Sequence, residues 1–244
     1  LDNNKDQSYF LCQLSQYQLS KALFPIGHLQ KSEVRELAHK AGLSTADKKD
    51  SQGLCFIGKV RLPDFLQQKL QPKEGLVWEI SSDAAFLDEP RTNLEELARP
   101  FEFHPKLAVK RGKHNGAHYY TVGQRKGLNI GGSPKPLFVL GVNTAFNAIY
   151  VGQGEDHKGL YRKALKISSN EVHWVREDLA LPVGTSRKFM GRIRYRQPLV
   201  PVTVHHTEKG IFVEFEKPEK AITPGQFAAW YLGEELIGSG TIAH

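Results

Sequence analysis

Cysteine is nearly absent: Cys12 and Cys55 are the only two in 244 residues. Two thiols exclude a disulfide framework and a Cys-rich zinc site. Free, reduced thiols make a cytoplasmic location the expectation. Long hydrophobic runs are also missing. Crossing a bilayer takes about 20 consecutive apolar residues, and the longest apolar stretches here, such as residues 136–142, suit strands instead. No membrane partner is therefore expected. No basic-then-apolar leader opens the chain. It begins at Leu1, without Met, in polar residues from Asp2 to Asp6, which reads as a start in mid-protein. Internal repeats and low-complexity tracts are lacking too, and the one glycine-rich run at 123–132 is neither a P-loop pattern nor a dinucleotide fingerprint.

What remains is an ordinary folded composition, 40% hydrophobic and 24% charged, with a mean hydropathy of −0.42. A length of 244 residues leaves room for two or three small domains. Lys and Arg number 33 against 26 Asp and Glu, giving +7 and a pI of about 9.3. That balance permits a polyanionic partner such as a nucleic acid without requiring one. The ten histidines are scattered. His205 and His206 would point to opposite faces of a strand, so no metal site is predicted.

The first third reads as helical. One run from Leu14 to Leu23 ends at Phe24–Pro25. A second helix is expected after Ser32 as N-cap, with Val34, Leu37, Ala38 and Ala41 on one face and Gly42 at the stop. A short strand over residues 54–57 and a third helix over 62–70 follow. From Gly75 the pattern changes. Alternation predicts strands over 76–80 and 119–122, separated by an irregular stretch at 81–108 with a short helix near 93–98. Eight further strands are predicted over 137–143, 148–153, 164–172, 187–195, 199–206, 210–215, 227–232 and 235–242. So many short strands at close spacing suggest a small barrel or sandwich.

Several segments could carry chemistry. DSQGLCFIG, residues 50–58, leads a glycine-containing polar loop into Cys55, with Lys48 and Lys49 just upstream. Positive charge nearby favours the nucleophilic thiolate; the alternative is a buried structural thiol, since free Cys is among the most buried residue types. That alternative suits Cys12, set among apolar residues. Lys5, Asp6 and Gln7 open KDQSYFL and could contact phosphates or base edges; a solvated loop is the alternative. GQRKGLNIGG, residues 123–132, places Arg125 and Lys126 among four glycines whose amides could approach phosphate, or it is a plain glycine-rich connection. GRIRYRQ would line Arg192, Arg194 and Arg196 along one face of a strand with Tyr195 between them, either to meet a phosphate backbone or as a barrel's charged exterior. ITPGQ is a Pro-Gly turn, and its Gln226 could be simply exposed.

Together, KDQSYFL, LFPIGHLQKSEVRELA, KKDSQGLCFIG, TVGQRKGLNIGG, HWV, RYRQ and ITPGQ resemble the bacterial tRNA-specific 2-thiouridylase family in order and spacing, from Lys5 to about Ile242. DSQGLCFIG and GQRKGLNIGG are the specific parts. The resemblance implies three regions. Residues 1–60 would be the α/β tail of a Rossmann-like, adenylating catalytic domain. Residues 61–135 would be a small, mainly-β central domain, and 136–244 a C-terminal β-barrel that holds tRNA. It implies sulfur transfer from a persulfide on Cys55 to C2 of a wobble uridine activated by ATP. Partners would be the anticodon region of tRNA and a sulfur relay protein or cysteine desulfurase, with the protein a monomer. Lys5, Asp6, Gln7, Arg194, Tyr195 and Gln226 match tRNA-contacting segments by resemblance; Arg125 and Lys126 join them on charge and placement.

Departures from the family accompany the resemblance. The SGG-x-DS loop for ATP and a second catalytic cysteine with its aspartate do not occur in these residues, so the isolated chain is expected to be inactive. Cys12 is no substitute for that second cysteine. The stretch 81–110 also looks longer than in the family. The competing class is a non-catalytic RNA-binding β-barrel module, which has no need of Cys55. A methyltransferase ranks lower: no glycine-rich segment follows a strand and opens a helix.

Overall fold

The computed structural model describes residues 6–48, 65 and 69–244. The strand expected at 54–57, nearly all of the helix expected at 62–70, and the candidate residues Lys5 and Cys55 lie outside the described residues.

Caps decide where the first helices start. Ser15 Oγ accepts from the Gln18 amide at 3.3 Å, and Gln18 Oε1 accepts from the Ser15 amide at 2.9 Å. This reciprocal box opens α1 (Gln16–Ser20). For α2 (Lys31–Lys40) the box belongs to Gln30 and Glu33, whose carboxylate accepts the Gln30 amide at 2.6 Å. Ser32, expected as the cap, therefore sits inside the first turn. The stop is as expected: Gly42 has φ +65°, a left-handed residue that closes the helix end. The apolar face of α2 is only partly covered, and Leu37 is 51% exposed. No helix among the described residues is long and apolar enough to cross a membrane.

The middle of the chain forms a four-stranded sheet of β1 (Gly75–Glu79), β2 (Val109–His114), β3 (Leu137–Asn143) and β4 (Ala148–Gln153), in the order β2-β1-β4-β3. β1 and β4 are parallel; the other pairs are antiparallel. Period-two alternation divides the side chains between two apolar faces. Val77, Val139, Ile149 and Val151 pack under Ala117 and Leu128. Phe138, Leu140 and Tyr150 pack on the other side with Leu87, Phe101 and Phe103. Residues 137–153 thus belong to this sheet, although the sequence placed them in the barrel. The pairing that puts them there joins β4 to β1 across some seventy residues, and local pattern carries no trace of it. The strand expected at 119–122 is also absent. Ala117–Tyr119 is a 3-10 turn in which Tyr120 donates to the Ala117 carbonyl at 3.1 Å. Ala117 and Tyr120 share one apolar cluster at i, i+3 spacing, which a turn of this kind satisfies and a strand does not.

Residues 81–108 clasp the sheet to the barrel. Asn93 Oδ1 accepts from the Glu96 amide at 3.0 Å and starts α3 (Leu94–Ala98). Leu94, Leu97 and Ala98 pack on Ala164 and Phe212. Arg162 donates to the carbonyls of Ala98 at 2.6 Å and Ile222 at 2.8 Å. Burial, with Arg91 nearby, pulls its guanidinium down to about 10.

The last third is a closed six-stranded barrel: β5 (Tyr161–Trp174), β6 (Thr185–Arg192), β7 (Val200–Thr207), β8 (Gly210–Lys220), β9 (Phe227–Leu232) and β10 (Glu235–Ile242), ordered β10-β5-β8-β7-β6-β9. Closure removes the open edges that would invite other strands. Alternate residues fill its interior, among them Leu165, Ile167, Val202, Val204, Ile211, Val213 and Phe215.

His157, only 2% exposed, ties the connection between β4 and β5 to the end of β1. Its Nδ1 accepts from the Gly159 amide at 3.1 Å, which leaves Nε2 to donate to the Ile80 carbonyl at 3.2 Å. Burial, the larger effect, pushes its pKa below the ordinary 6.5 despite the Ile80 carbonyl, and burial does the same to His114. A proton on Nδ1 would displace the Gly159 amide. Both groups fold neutral, so their stabilisation is present above their ordinary pKa and is lost as pH falls below it. Thermal melts from about pH 7 to about pH 5 should show falling stability, with a shallower fall for His157→Gln. An unchanged pH profile in that variant would contradict this assignment.

Candidate nucleic-acid interface

The segment after Asp6 is pinned onto one end of the barrel. Asp6 Oδ1 accepts the Ser8 amide at 2.9 Å, which starts a 3-10 turn over Ser8–Leu11. Its other oxygen pairs with Arg192, whose side chain is 9% exposed and lies over the Tyr231 ring at 4.8 Å. Burial pushes the Asp6 carboxyl up, but the Ser8 hydrogen bonds and Arg192 outweigh it and hold the group below the usual carboxylate range. Tyr231 Oη meets Ser8 Oγ at 3.1 Å. Tyr9 Oη points at the carbonyls of Ile193 and Phe227, at 3.0 and 2.9 Å, and burial raises its pKa to about 12. Cys12 is fully buried, its carbonyl accepts from Ser239 at 2.6 Å, and burial pushes its thiol up. A buried, protonated thiol suits packing and not chemistry.

Between this segment and the barrel opens a cleft of about 1610 Å³, whose walls include Asp6, Gln7, Phe10, Tyr195, Arg196 and Tyr231. Phe10 is 63% exposed, and its ring centroid lies 4.5 Å from that of Tyr195. Exposed aromatic faces beside a cation suit unstacked bases. Gln7 is exposed at the mouth.

The three arginines of GRIRYRQ do not line one face of a strand. β6 ends at Arg192, and the chain then turns: Gln197 donates to the Arg194 carbonyl at 3.2 Å, and Gln197 Oε1 accepts the Ile193 amide at 2.9 Å. Arg192 goes inward to Asp6. Arg194 donates to the Lys220 carbonyl at 2.8 Å and to Glu219 at 2.9 Å. Arg196 sits at φ +64° with its guanidinium over Tyr195 at 5.2 Å. A side-chain glutamine bond and a left-handed residue break the period-two expectation.

Gln226, Arg125 and Lys126, expected contributors, stand apart from the cleft, and Arg194 is not among its lining residues. Gln226 follows the predicted Pro-Gly turn, with Gly225 at φ +82°; its side-chain oxygen is buried with no hydrogen-bond partner among the described residues, and it is not among the residues lining the cleft. Arg125 and Lys126 are exposed on the 123–132 loop of the central sheet. Gln124 staples that loop, accepting from Thr121 at 3.0 Å and donating to the Lys126 carbonyl at 2.8 Å. A shallower pocket of about 400 Å³ opens there. Among the described residues no three His, Cys, Asp or Glu side chains cluster as a metal site would need. The sequence reading missed Tyr231 and Phe10 as parts of this region, and it expected Arg192 at a phosphate backbone where the fold pairs it with Asp6. Asp6 and Arg192 are 186 positions apart, and nothing local marks such a pair.

Residues 1–59 match the model of a tRNA methyl transferase HUP domain, residues 106–153 a tRNA methyl transferase PRC-barrel domain, and residues 164–242 an aminomethyltransferase beta-barrel domain. The last two matches are separated by residues 154–163, where the sheet gives way to the closed barrel. The chain is 56% identical to the tRNA-specific 2-thiouridylase MnmA of Christiangramia forsetii, across 99% of this chain and 63% of that protein. It is 57% identical to the Flavobacterium johnsoniae protein of the same name over the same shares, and 44% identical to that of Halalkalibacterium halodurans, there across 100% of this chain and 57% of the other. The chain thus spans less than two thirds of the length of these relatives.

Proposed function

We propose that this chain, which belongs to the tRNA-specific 2-thiouridylase family, serves the 2-thiolation of tRNA by holding the tRNA and carrying the sulfur. One observation carries the reading most: Gln7 and Tyr195, from segments almost the whole chain apart, meet around one open cleft at the barrel's end. Gln7, Tyr195 and Phe10 face RNA there. Asp6 and Arg194 hold the walls in place, through Arg192 and Glu219. Arg125, Lys126 and Gln226 extend the tRNA surface beyond the cleft, and Lys5 adds a further contact to tRNA.

Sulfur arrives as a persulfide on Cys55, from a relay protein or a cysteine desulfurase in the cytoplasm. ATP converts the uridine C2 oxygen into the leaving group of AMP, with pyrophosphate released. The terminal persulfide sulfur forms the new bond to C2 as the C2–O bond to AMP breaks. A second thiolate then attacks the Cys55 sulfur, and the S–S bond to the transferred sulfur breaks. That sulfur leaves on C2 as 2-thiouridine while Cys55 and the second thiol are left as a disulfide, the exchange chemistry that suits cysteine to this task. The 244 residues contain neither an SGG-x-DS loop nor a thiol that could serve as that second cysteine, because Cys12 is buried.

A polypeptide of these 244 residues should therefore bind tRNA yet yield no 2-thiouridine when given ATP, tRNA and a sulfur donor. Nucleoside analysis by mass spectrometry and a filter-binding assay read the two outcomes. Product from this polypeptide, or no tRNA binding, would overturn the division of labour proposed.

A further inference from the structure

The loop at 123–132 holds three glycines that the fold explains and one that it does not. Gly123, Gly127 and Gly132 have φ of +84°, +84° and +75°, where side chains are rarely found. A Cβ on Gly123 would also sit 2.5 Å from that of Ala221. Gly131 has neither reason. Its φ lies outside the left-handed region, and a Cβ built on it would meet no described atom within 4 Å. Glycine where the protein itself leaves room suits the close approach of a ligand to the main chain.

The main chain beside Gly131 is arranged for an anion. Leu128 is buried and Ile130 packs on the same cluster, so these two peg the loop to the sheet. Arg111 donates to Ser133 Oγ at 2.7 Å and fixes the far end. Left-handed residues at Gly127, Asn129 and Gly132 alternate with ordinary ones, a pattern that turns neighbouring amides toward a common side. The amides of residues 129–132 find no acceptor among the described residues. A cavity of about 400 Å³ opens beside them, walled in part by Arg125, Asn129 and Gly131. Arg125 and Lys126 are exposed and form no ion pair among the described residues. Glu155, close enough to feel the charge of Arg125, is itself paired with Lys220 at 2.6 Å.

We propose that the main-chain amides of residues 129–132 bind a phosphate group, with Gly131 at the point of closest approach and Arg125 supplying charge. A phosphate offers several oxygens to a row of amides, where a carboxylate offers two. The site extends the tRNA reading above, which supplies one source of phosphate, the RNA backbone; a free phosphate ion is the other.

The test is Gly131→Ala in the full-length protein, followed by tRNA binding, by calorimetric titration with inorganic phosphate and by thermal melting. The added methyl should leave the melting temperature within about 2 °C of the wild type, because it meets nothing in the fold. Binding should weaken about tenfold, the worth of one charge-assisted hydrogen bond. A loss confined to tRNA assigns the site to the RNA backbone, and a loss of inorganic phosphate binding assigns it to the free ion. Unchanged binding of both would overturn the proposal. So would a fall of several degrees in melting temperature, because the glycine would then serve the fold. Wild-type protein that binds phosphate through Gly131 but no tRNA would overturn the tRNA reading alone; wild-type protein that binds neither would overturn both.

Discussion

Cys55→Ser in the full-length protein is expected to abolish 2-thiouridine formation, by at least about a thousandfold, and to leave tRNA affinity unchanged. The expected loss is large because the change removes an atom and not a contact. A serine oxygen cannot hold a transferable sulfur or release it to a second thiol. The expected sparing of affinity follows from the size of the change, one sulfur replaced by one oxygen. The groups placed on RNA, namely Gln7, Phe10 and Tyr195, are untouched by it. A non-catalytic RNA-binding barrel predicts a different pair of results, with both thiolation and binding unchanged. Thiolation by Cys55→Ser at a rate near that of the wild type would remove the cysteine from the mechanism.

Trp230→Ala should cost the largest share of stability of any single truncation in the barrel, about 3–5 kcal/mol. Trp230 is fully buried, and its ring meets Trp174 edge-on with centroids 5.2 Å apart. The barrel is built around it: a Cβ on Gly238 would sit 2.7 Å from the indole, so glycine is needed opposite. One effect opposes the loss. The indole N–H is buried with no partner among the described residues, and removing an unsatisfied donor returns about 1–3 kcal/mol. The cavity and lost transfer energy still outweigh it, since the quoted cost is measured for whole aromatic truncations. Against a typical total of about 5–15 kcal/mol, the variant should show a clearly lowered denaturation midpoint. Binding would fall with it, because Tyr231, the next residue, holds Ser8 and Arg192 at the cleft. A shift below about 1 kcal/mol would mean that Trp230 is not the centre of this core.

Period-two alternation made most strands legible. The predicted limits of β3, β4, β9 and β10 coincide with those observed. Alternation says which residues form a strand but not which strand it pairs with. Hence residues 137–153 were placed with the barrel, whereas β1 draws β4 into the central sheet. The same limit hid the clasp: the apolar residues of 81–108 are visible in the sequence, but their partners Ala164 and Phe212 are not. At the site, KDQSYFL and RYRQ were readable as motifs. The partition of their charges was not, because it depends on a turn at Gln197 and on pairs nearly two hundred residues apart. Asp6 looks like a contact residue in sequence and is, in the fold, the anchor of Arg192.

The most direct test of the central claim is mass spectrometry, without reductant, of the peptide carrying Cys55 after the full-length protein meets a cysteine desulfurase and cysteine. The account predicts a gain of one sulfur on Cys55 that a thiol reductant removes and that disappears when ATP and tRNA are added, as 2-thiouridine forms. Thiolated tRNA appearing while Cys55 never carries the added sulfur would contradict it.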